Sequence, residues 1–389
     1  MNLVQEFLSG QQGRNKGLPY GPGLEPITKA TNGIQRCTSI GVGAAPKVGK
    51  STFVDCAYIL GPYLEYLKLK DSSTPLDIQW IYFSYEMDRV SKEFDFCCYF
   101  LHNEHNIEKI QLPEGIYYEN DLGKIVNHIY LSSEYLRGRL VDTAGKTILV
   151  DTYVRSMLKK VYEERIIPLF GEFSKEGSLL KKGLITFFDH AENPTGLRNH
   201  IMKFAESRGQ FLYDTYRDKN GVMQKKLIGY QPNNSEEYVI IITDTVRKLQ
   251  KERGFNLKET IDKYLEYSTF LRNLCKYVFV NIIHINRDLG DVNKLKYLGE
   301  HLHPVGDNIK DSGNLSEESS HLFTLFNPND EKYGLNKHFG VELRGPNKGQ
   351  LYPNLRTVHL VESRLVRCPQ HFRFNMLGHV KTFKQFKIN

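Results

Sequence analysis

A chain of 389 residues, 40% of them hydrophobic, has material for a large core and room for one to three domains. Its 52 Lys and Arg against 45 Asp and Glu leave a net charge of +7, a modest excess of base that permits a polyanionic partner without demanding one. Its six cysteines include no C-x-x-C pair and no Cys/His group at zinc-ligand spacing, which describes a reduced, intracellular set and argues against a disulfide scaffold. The N-terminus lacks a signal-peptide plan and no apolar run is long enough to cross a bilayer, so the sequence predicts a soluble, cytoplasmic protein without a membrane partner.

In chain order, residues 1–9 carry Leu3, Val4, Phe7 and Leu8 at helical spacing, and residues 10–23 are a Gly-, Asn-, Gln- and Pro-rich linker. A β-branched run at 38–42 predicts a buried strand, and the apolar stretch 51–60 predicts a helix just beyond it. A second strand is expected at 77–84, followed by a long helical, partly irregular region from 89 to 182. Within it, Val154, Met157, Leu158 and Val161 mark one face of a charged helix. A third strand at 184–188 ends at Asp189, and Pro194 opens a further helix. Residues 210–230 suggest a hairpin turning at 218–221. The strand at 238–244 is the most buried-looking in the chain and ends in a carboxylate. A helix carrying Ile261, Leu265, Leu271 and Leu274 precedes another strand at 278–283, and three more strands begin near His321, Arg356 and Phe372. Strands alternating with helices, most too apolar to have a wet face, predict an α/β fold with a mostly parallel central sheet. The expected organisation is a terminal helix and linker over 1–23 and one domain over 24–389, with a helical insertion at about 100–182 and a hairpin insertion at about 210–235.

Between the first strand and its helix stands Ala44-Ala45-Pro46-Lys47-Val48-Gly49-Lys50-Ser51. This is a phosphate-binding loop of the form [A/G]-x-x-x-x-G-K-[S/T], flanked as such a loop must be. Ala45, Pro46, Lys47, Val48, Gly49, Lys50, Ser51 and Thr52 are the expected nucleotide contacts. Lys50 would reach the β- and γ-phosphates, and the Ser51 hydroxyl would take a place on Mg²⁺. ATP and Mg²⁺ are thus the expected ligands. Hydrolysis also needs a metal carboxylate, an oriented water and positive charge, and in an open α/β sheet these come from strand ends. Asp244 ends an apolar strand and would hold Mg²⁺ opposite Ser51, although an Asp there also caps helices. Glu86, two residues past the second strand, is the candidate general base. His284 would sense the γ-phosphate, and Arg364 would reach a phosphate of an adjacent subunit. Taken alone, His284 reads more readily as a core or loop histidine and Arg364 as a surface charge.

The order of these motifs resembles the C-terminal ATPase domain of DnaB-type replicative helicases, a RecA-like fold of the hexameric helicase class. The loop A-A-P-K-V-G-K-S-T-F is similar to that family's first motif. Y-F-S-Y-E-M at 82–87 resembles the strand whose Glu is the catalytic base, which falls on Glu86. I-I-I-T-D at 240–244 is similar to its Walker B strand. N-I-I-H-I-N-R at 281–287 places His284 at the phosphate sensor, where Gln is frequent. The segment at 303–318 resembles the family's R-P-x-x-S-D-L-R-E-S-G motif, with Lys310 in place of Arg and Glu317 in place of Gln. The strand ending at Arg364 is similar to the one carrying a trans-acting K-x-R pair, with Glu362 where Lys is usual, and a C-terminal β-hairpin extension follows. The resemblance spans about 23–383 and implies a homo-oligomeric ring, hexameric as in the family, moving 5′→3′ on single-stranded or forked DNA. It also implies primase, loader or other replisome partners. The DNA loops are expected at Arg287, Lys294 and Lys296, residues that would also suit a solvated face. The family's separate N-terminal domain has no counterpart in these residues, a compactness that would suit a bacteriophage replication protein. A RecA-like recombination or repair ATPase, and a regulatory scaffold whose hydrolysis has decayed, are the alternatives.

Overall fold

The computed structural model describes residues 17–387 except 121, 175, 218, 286–296, 310–312 and 347–348. The amphipathic stretch 1–9 and half of the linker therefore lie outside the described residues. The chain forms two compact units, one comprising Met1–Tyr85, His190–Asn375 and Lys384–Asn389, the other Glu86–Asp189 and Met376–Phe383.

The first unit is organised by a sheet. Its strands are β1 (Ser39–Ala44), β2 (Ile78–Ser84), the hairpin β3 (Gly209–Arg217) and β4 (Met223–Pro232), β5 (Tyr238–Asp244), β6 (Val278–His284), β7 (His321–Phe326), β8 (Leu355–Ser363) and β9 (Gln370–Leu377). Apart from the hairpin, which pairs with itself, they lie in the order β9-β8-β7-β1-β6-β5-β2. From β7 to β2 all pairings are parallel, whereas β8 runs antiparallel to both β7 and β9. Every residue of β1 and β7 is buried. Strands buried on both faces must be continuously apolar, and Ile240, Ile241, Ile242, Val278, Phe279 and Val280 meet that demand with no exposure at all. Gly41 has a steric reason, because a Cβ there would lie 2.6 Å from Leu322 Cδ1 of the neighbouring strand.

Helices close the connections between these strands. The loop after β1 leads into a helix that begins at Lys50–Val54, passes through a π-helical stretch at Asp55–Leu60 and ends in Gly61–Leu69. The Trp80 indole of β2 donates to the Tyr58 carbonyl of that stretch at 2.7 Å, which fixes helix against sheet. The helix Leu257–Cys275 begins in a capping box, with Glu259 N–H donating to Asn256 Oδ1 and Asn256 N–H to Glu259 Oε2. Its Ile261, Leu265 and Leu271 are buried, as their spacing predicts.

The second unit differs from the helical stretch expected there. Its long helix Arg89–His105 is capped by Asp88 and stops at Asn106, which is left-handed. Thr152–Val161 is helical and buries Val154 and Val161. Between these two helices the chain forms short antiparallel pairs, Lys109–Gln111 with His128–Tyr130 and Tyr118–Glu119 with Ile125–Val126. The physical reason is punctuation: Gly115, Gly123, Gly138 and Gly145 all take positive φ at turns that helix cannot accommodate. Cys97 and Cys98 are buried here, as their aromatic surroundings suggest. The returning segment 376–383 is held by a Lys381–Asp95 ion pair at 3.3 Å and by Asn103 donating to the Thr382 hydroxyl at 3.0 Å.

Candidate active site

Parallel register brings the ends of four strands of the first unit into line. Ala44 of β1 is level with His284 of β6, and Asp244 of β5 is level with Ile282 on one side and Ser84 of β2 on the other. The predicted loop leaves β1 at this edge. Lys47 (φ 63°) and Gly49 (φ 105°) are both left-handed, which turns the chain sharply into the helix at Lys50. The first-turn N–H groups of that helix have no intrahelical carbonyl to pair with, so an anion suits them. Ala45, Pro46, Val48, Ser51 and Thr52 take their places along this loop and first turn.

Lys50 is only 6% exposed, and its Nζ lies 3.2 Å from His284 Nδ1. An ammonium can only donate, so His284 Nδ1 accepts and the ring proton sits on Nε2. Sequence reasoning thus placed these two residues at one edge, and the fold puts them in contact. Asp244 is 1% exposed, and its Oδ2 accepts from the Tyr82 hydroxyl at 3.4 Å. The same hydroxyl lies 3.1 Å from Asp55 Oδ1, so two buried carboxylates share one proton donor. Burial first, then the charges of Asp55 and Asp244, push the Tyr82 phenol well above its ordinary pKa and keep it a donor. Asp244 Oδ1 has no hydrogen-bond partner among the described residues and no solvent contact. A buried carboxylate oxygen without a partner is costly unless a cation meets it. That orphaned oxygen fits a divalent metal shared with the Ser51 hydroxyl, the chemistry of Mg²⁺ with oxygen ligands.

The backbone around Asp244 is pinned from both neighbouring strands. Tyr85 N–H donates to the Asp244 carbonyl at 2.7 Å, and the Thr245 hydroxyl donates to the Ile282 carbonyl at 2.8 Å. Beneath it, Tyr264 donates to Asn281 Oδ1 at 2.7 Å and meets the Thr243 hydroxyl at 2.8 Å.

Asp55 and Tyr82 were not singled out from the sequence. The signal was present: Asp55 is the one charge in the apolar helix S-T-F-V-D-C-A-Y-I-L, one turn from Ser51, and Tyr82 shares a strand face with Ser84. Glu86 is exposed and opens the second unit, two residues after β2 ends. Arg287, Lys294 and Lys296 lie outside the described residues, as does Lys310.

Arg364 lies at the other edge of the sheet. Because β8 is antiparallel to β7, Ser363 is level with His321, and His321 is level with Ile40 near the start of β1. Arg364 N–H donates to the Ser320 carbonyl at 3.0 Å, and Ser320 N–H donates to that of Ser39. Strand rise separates Ser39 from Ala44 by about 17 Å, beyond the reach of an arginine side chain to its own chain's loop. Glu362, two residues earlier, accepts from the Ser316 hydroxyl.

No family model matches the sequence, and no curated protein matches it either. Solved structures do. The chain superposes with a TM-score of 0.61 at 11% identity on a structure described as an ATPase domain, covering 99% of this chain and 96% of that one. It superposes equally well, again at 0.61 and 11%, on a DnaB-like replicative helicase described with its interactions with primase, covering 99% of this chain and 66% of that longer one. The class is therefore defined: this is the α/β fold of a RecA-like ATPase domain. Within that class it is the fold found in DnaB-like helicases.

Proposed function

We propose that the chain is an ATP-hydrolysing, helicase-type motor that works on DNA as a ring of identical subunits. One observation carries this reading: the buried, partnerless Asp244 oxygen stands at the same strand edge as the loop bearing Lys50 and Ser51. Lys50 holds the β- and γ-phosphates once His284 releases it, and the loop N–H groups cradle them. Ser51 and Asp244 would hold Mg²⁺, which would supply positive charge for the phosphate oxygens. Asp55 and Tyr82 orient Asp244. His284, with Nε2–H as donor, meets the γ-phosphate and reports its loss. Glu86 takes the proton of the attacking water, the role that the family resemblance assigns it. Arg364 completes the site of the next subunit, consistent with its distance from its own loop.

Such a motor would move 5′→3′ on single-stranded DNA and open forked duplex, with Arg287, Lys294 and Lys296 tracking phosphates and a primase or loader among its partners. Binding through backbone contacts would be sequence-tolerant and salt-dependent. The test is a forked-DNA unwinding assay with ATP, beside a DNA-stimulated ATPase measurement. Unwinding supports the motor; stimulation alone would leave a recombination or loading ATPase, and neither would leave a regulatory nucleotide-binding protein.

A further inference from the structure

Away from the nucleotide site, three histidines from separate stretches of the first unit converge. His303 follows the short turn Gly299–His301, His359 lies mid-strand on β8, and His371 is its cross-strand partner on β9. One ring nitrogen of each lies within 4.8 Å of the other two. The His303 and His359 rings stack with centroids 4.4 Å apart, and the Nδ1 atoms of His359 and His371 are 2.7 Å apart.

The outward-facing nitrogens are already engaged. His303 Nδ1 donates to the His301 carbonyl at 2.7 Å, which leaves a lone pair on Nε2. His359 Nε2 lies 2.8 Å from the Thr357 hydroxyl, and that hydroxyl lies 3.1 Å from His338 Nε2. A relay in which His359 Nε2–H donates to Thr357 and Thr357 donates to His338 leaves the His359 Nδ1 lone pair turned toward its two neighbours. Hydrogen bonds that fix the tautomer and orientation of the His303 and His359 rings in this way are the outer shell of metal-bound histidine, and the His371 Nδ1 proton, which donates to His359 Nδ1 at 2.7 Å, would leave on metal binding.

We propose that His303, His359 and His371 bind a divalent first-row metal, zinc in the first instance, which staples the 301–303 segment to the β8–β9 strand pair. Zinc–imidazole bonds of about 2.0–2.1 Å place ligand nitrogens roughly 3.3 Å apart, inside the 4.8 Å within which the three now lie, and binding would turn the His303 and His359 rings out of their stack so that each ring plane contains the metal. Phe339 walls the site, its ring centroid 4.3 Å from that of His371 and 5.5 Å from that of His359. His371 is exposed and gives an entry path. Beside it a cavity of about 180 Å³, lined by Phe339, Thr357, His371, Phe372 and Arg373, has room for a fourth ligand. The Arg373 charge there favours hydroxide or chloride over neutral water.

The experiment uses the untagged full chain, stripped with a chelator and titrated with Zn²⁺ alone against a chromogenic competitor. The expected result is one zinc per chain, a higher Tm on binding, and affinity weakened by ~10-fold or more in both His371→Ala and His303→Ala. His190→Ala, at the separate group in which His190 and His200 both share Glu192, should bind as the native chain does. Absence of stoichiometric binding, unchanged affinity in both variants, or equal loss in His190→Ala would each overturn the proposal. Circular dichroism of each variant separates lost binding from lost folding.

Discussion

The two edges of one sheet have opposite characters. At the carboxyl ends of the parallel strands, Lys50, Asp55, Tyr82 and Asp244 are buried, with Tyr82 bridging the two carboxylates and Lys50 meeting His284. At the far edge, Arg364 is exposed and anchored only through its backbone in the contacts described above. Electrostatic catalysis works best when charges are fixed in advance, and the groups of the first edge are so fixed. An exposed arginine keeps its hydration and gains selectivity only when a neighbour desolvates it. One edge is therefore a set of buried groups fixed in advance, and the other carries a solvated cation that, under the proposed function, would complement a second copy. Parallel and antiparallel pairing decide which edge each residue reaches, for reversal of β8 alone moves its end to the opposite side.

Variants at each edge can break that contrast. Lys50→Ala should leave no measurable ATP turnover, and retained turnover would remove the phosphate-loop assignment altogether. Arg364→Ala should lower ATPase on the order of 10³-fold, the worth of an arginine finger. Mixed with native subunits it should depress activity more than in proportion, and a proportional loss would place the arginine outside any shared site. Glu86→Gln should bind ATP normally and turn over about 100-fold more slowly, with normal turnover in a stopped-flow assay moving the base elsewhere. Asp244→Asn should lose Mg²⁺-dependent nucleotide binding in calorimetry while its Tm holds or rises, because an unpaired buried charge is removed. A large drop in Tm would instead make Asp244 a structural residue. Tyr82→Phe is the mildest: it leaves two carboxylates without their shared donor and should cost about 1–3 kcal/mol in denaturant unfolding. No change there would mean that the hydroxyl does not couple Asp55 to Asp244.

Legibility from sequence followed local information. The turn at Ala44–Ser51 was readable because its pattern, Gly49 before Lys50 and Ser51 at the start of a helix, is written within eight residues. β5 was readable because a strand buried on both faces must be apolar throughout. The region after Glu86 was less so, since single helix-like stretches did not reveal that Gly115, Gly123, Gly138 and Gly145 divide it into turns and short strand pairs. Asp55 and Tyr82 went unread because their role is a contact between a helix and a strand, and neither forms a motif alone.

By itself, the sequence determined the α/β alternation, the sharp turn between β1 and its helix, and the carboxylate at the end of β5, all of which depend on residues adjacent along the chain. Tertiary structure alone decided three things: that Lys50 faces His284, that Asp244 keeps one oxygen without a partner, and that Arg364 stands on the edge away from its own loop. It also decided the meeting of His303, His359 and His371, separated by 56 and 12 residues in the numbering, which no spacing rule joins. The reason is the same in each case. Strand order, direction and register set which side chains share an edge, and those depend on pairings between segments far apart in the chain.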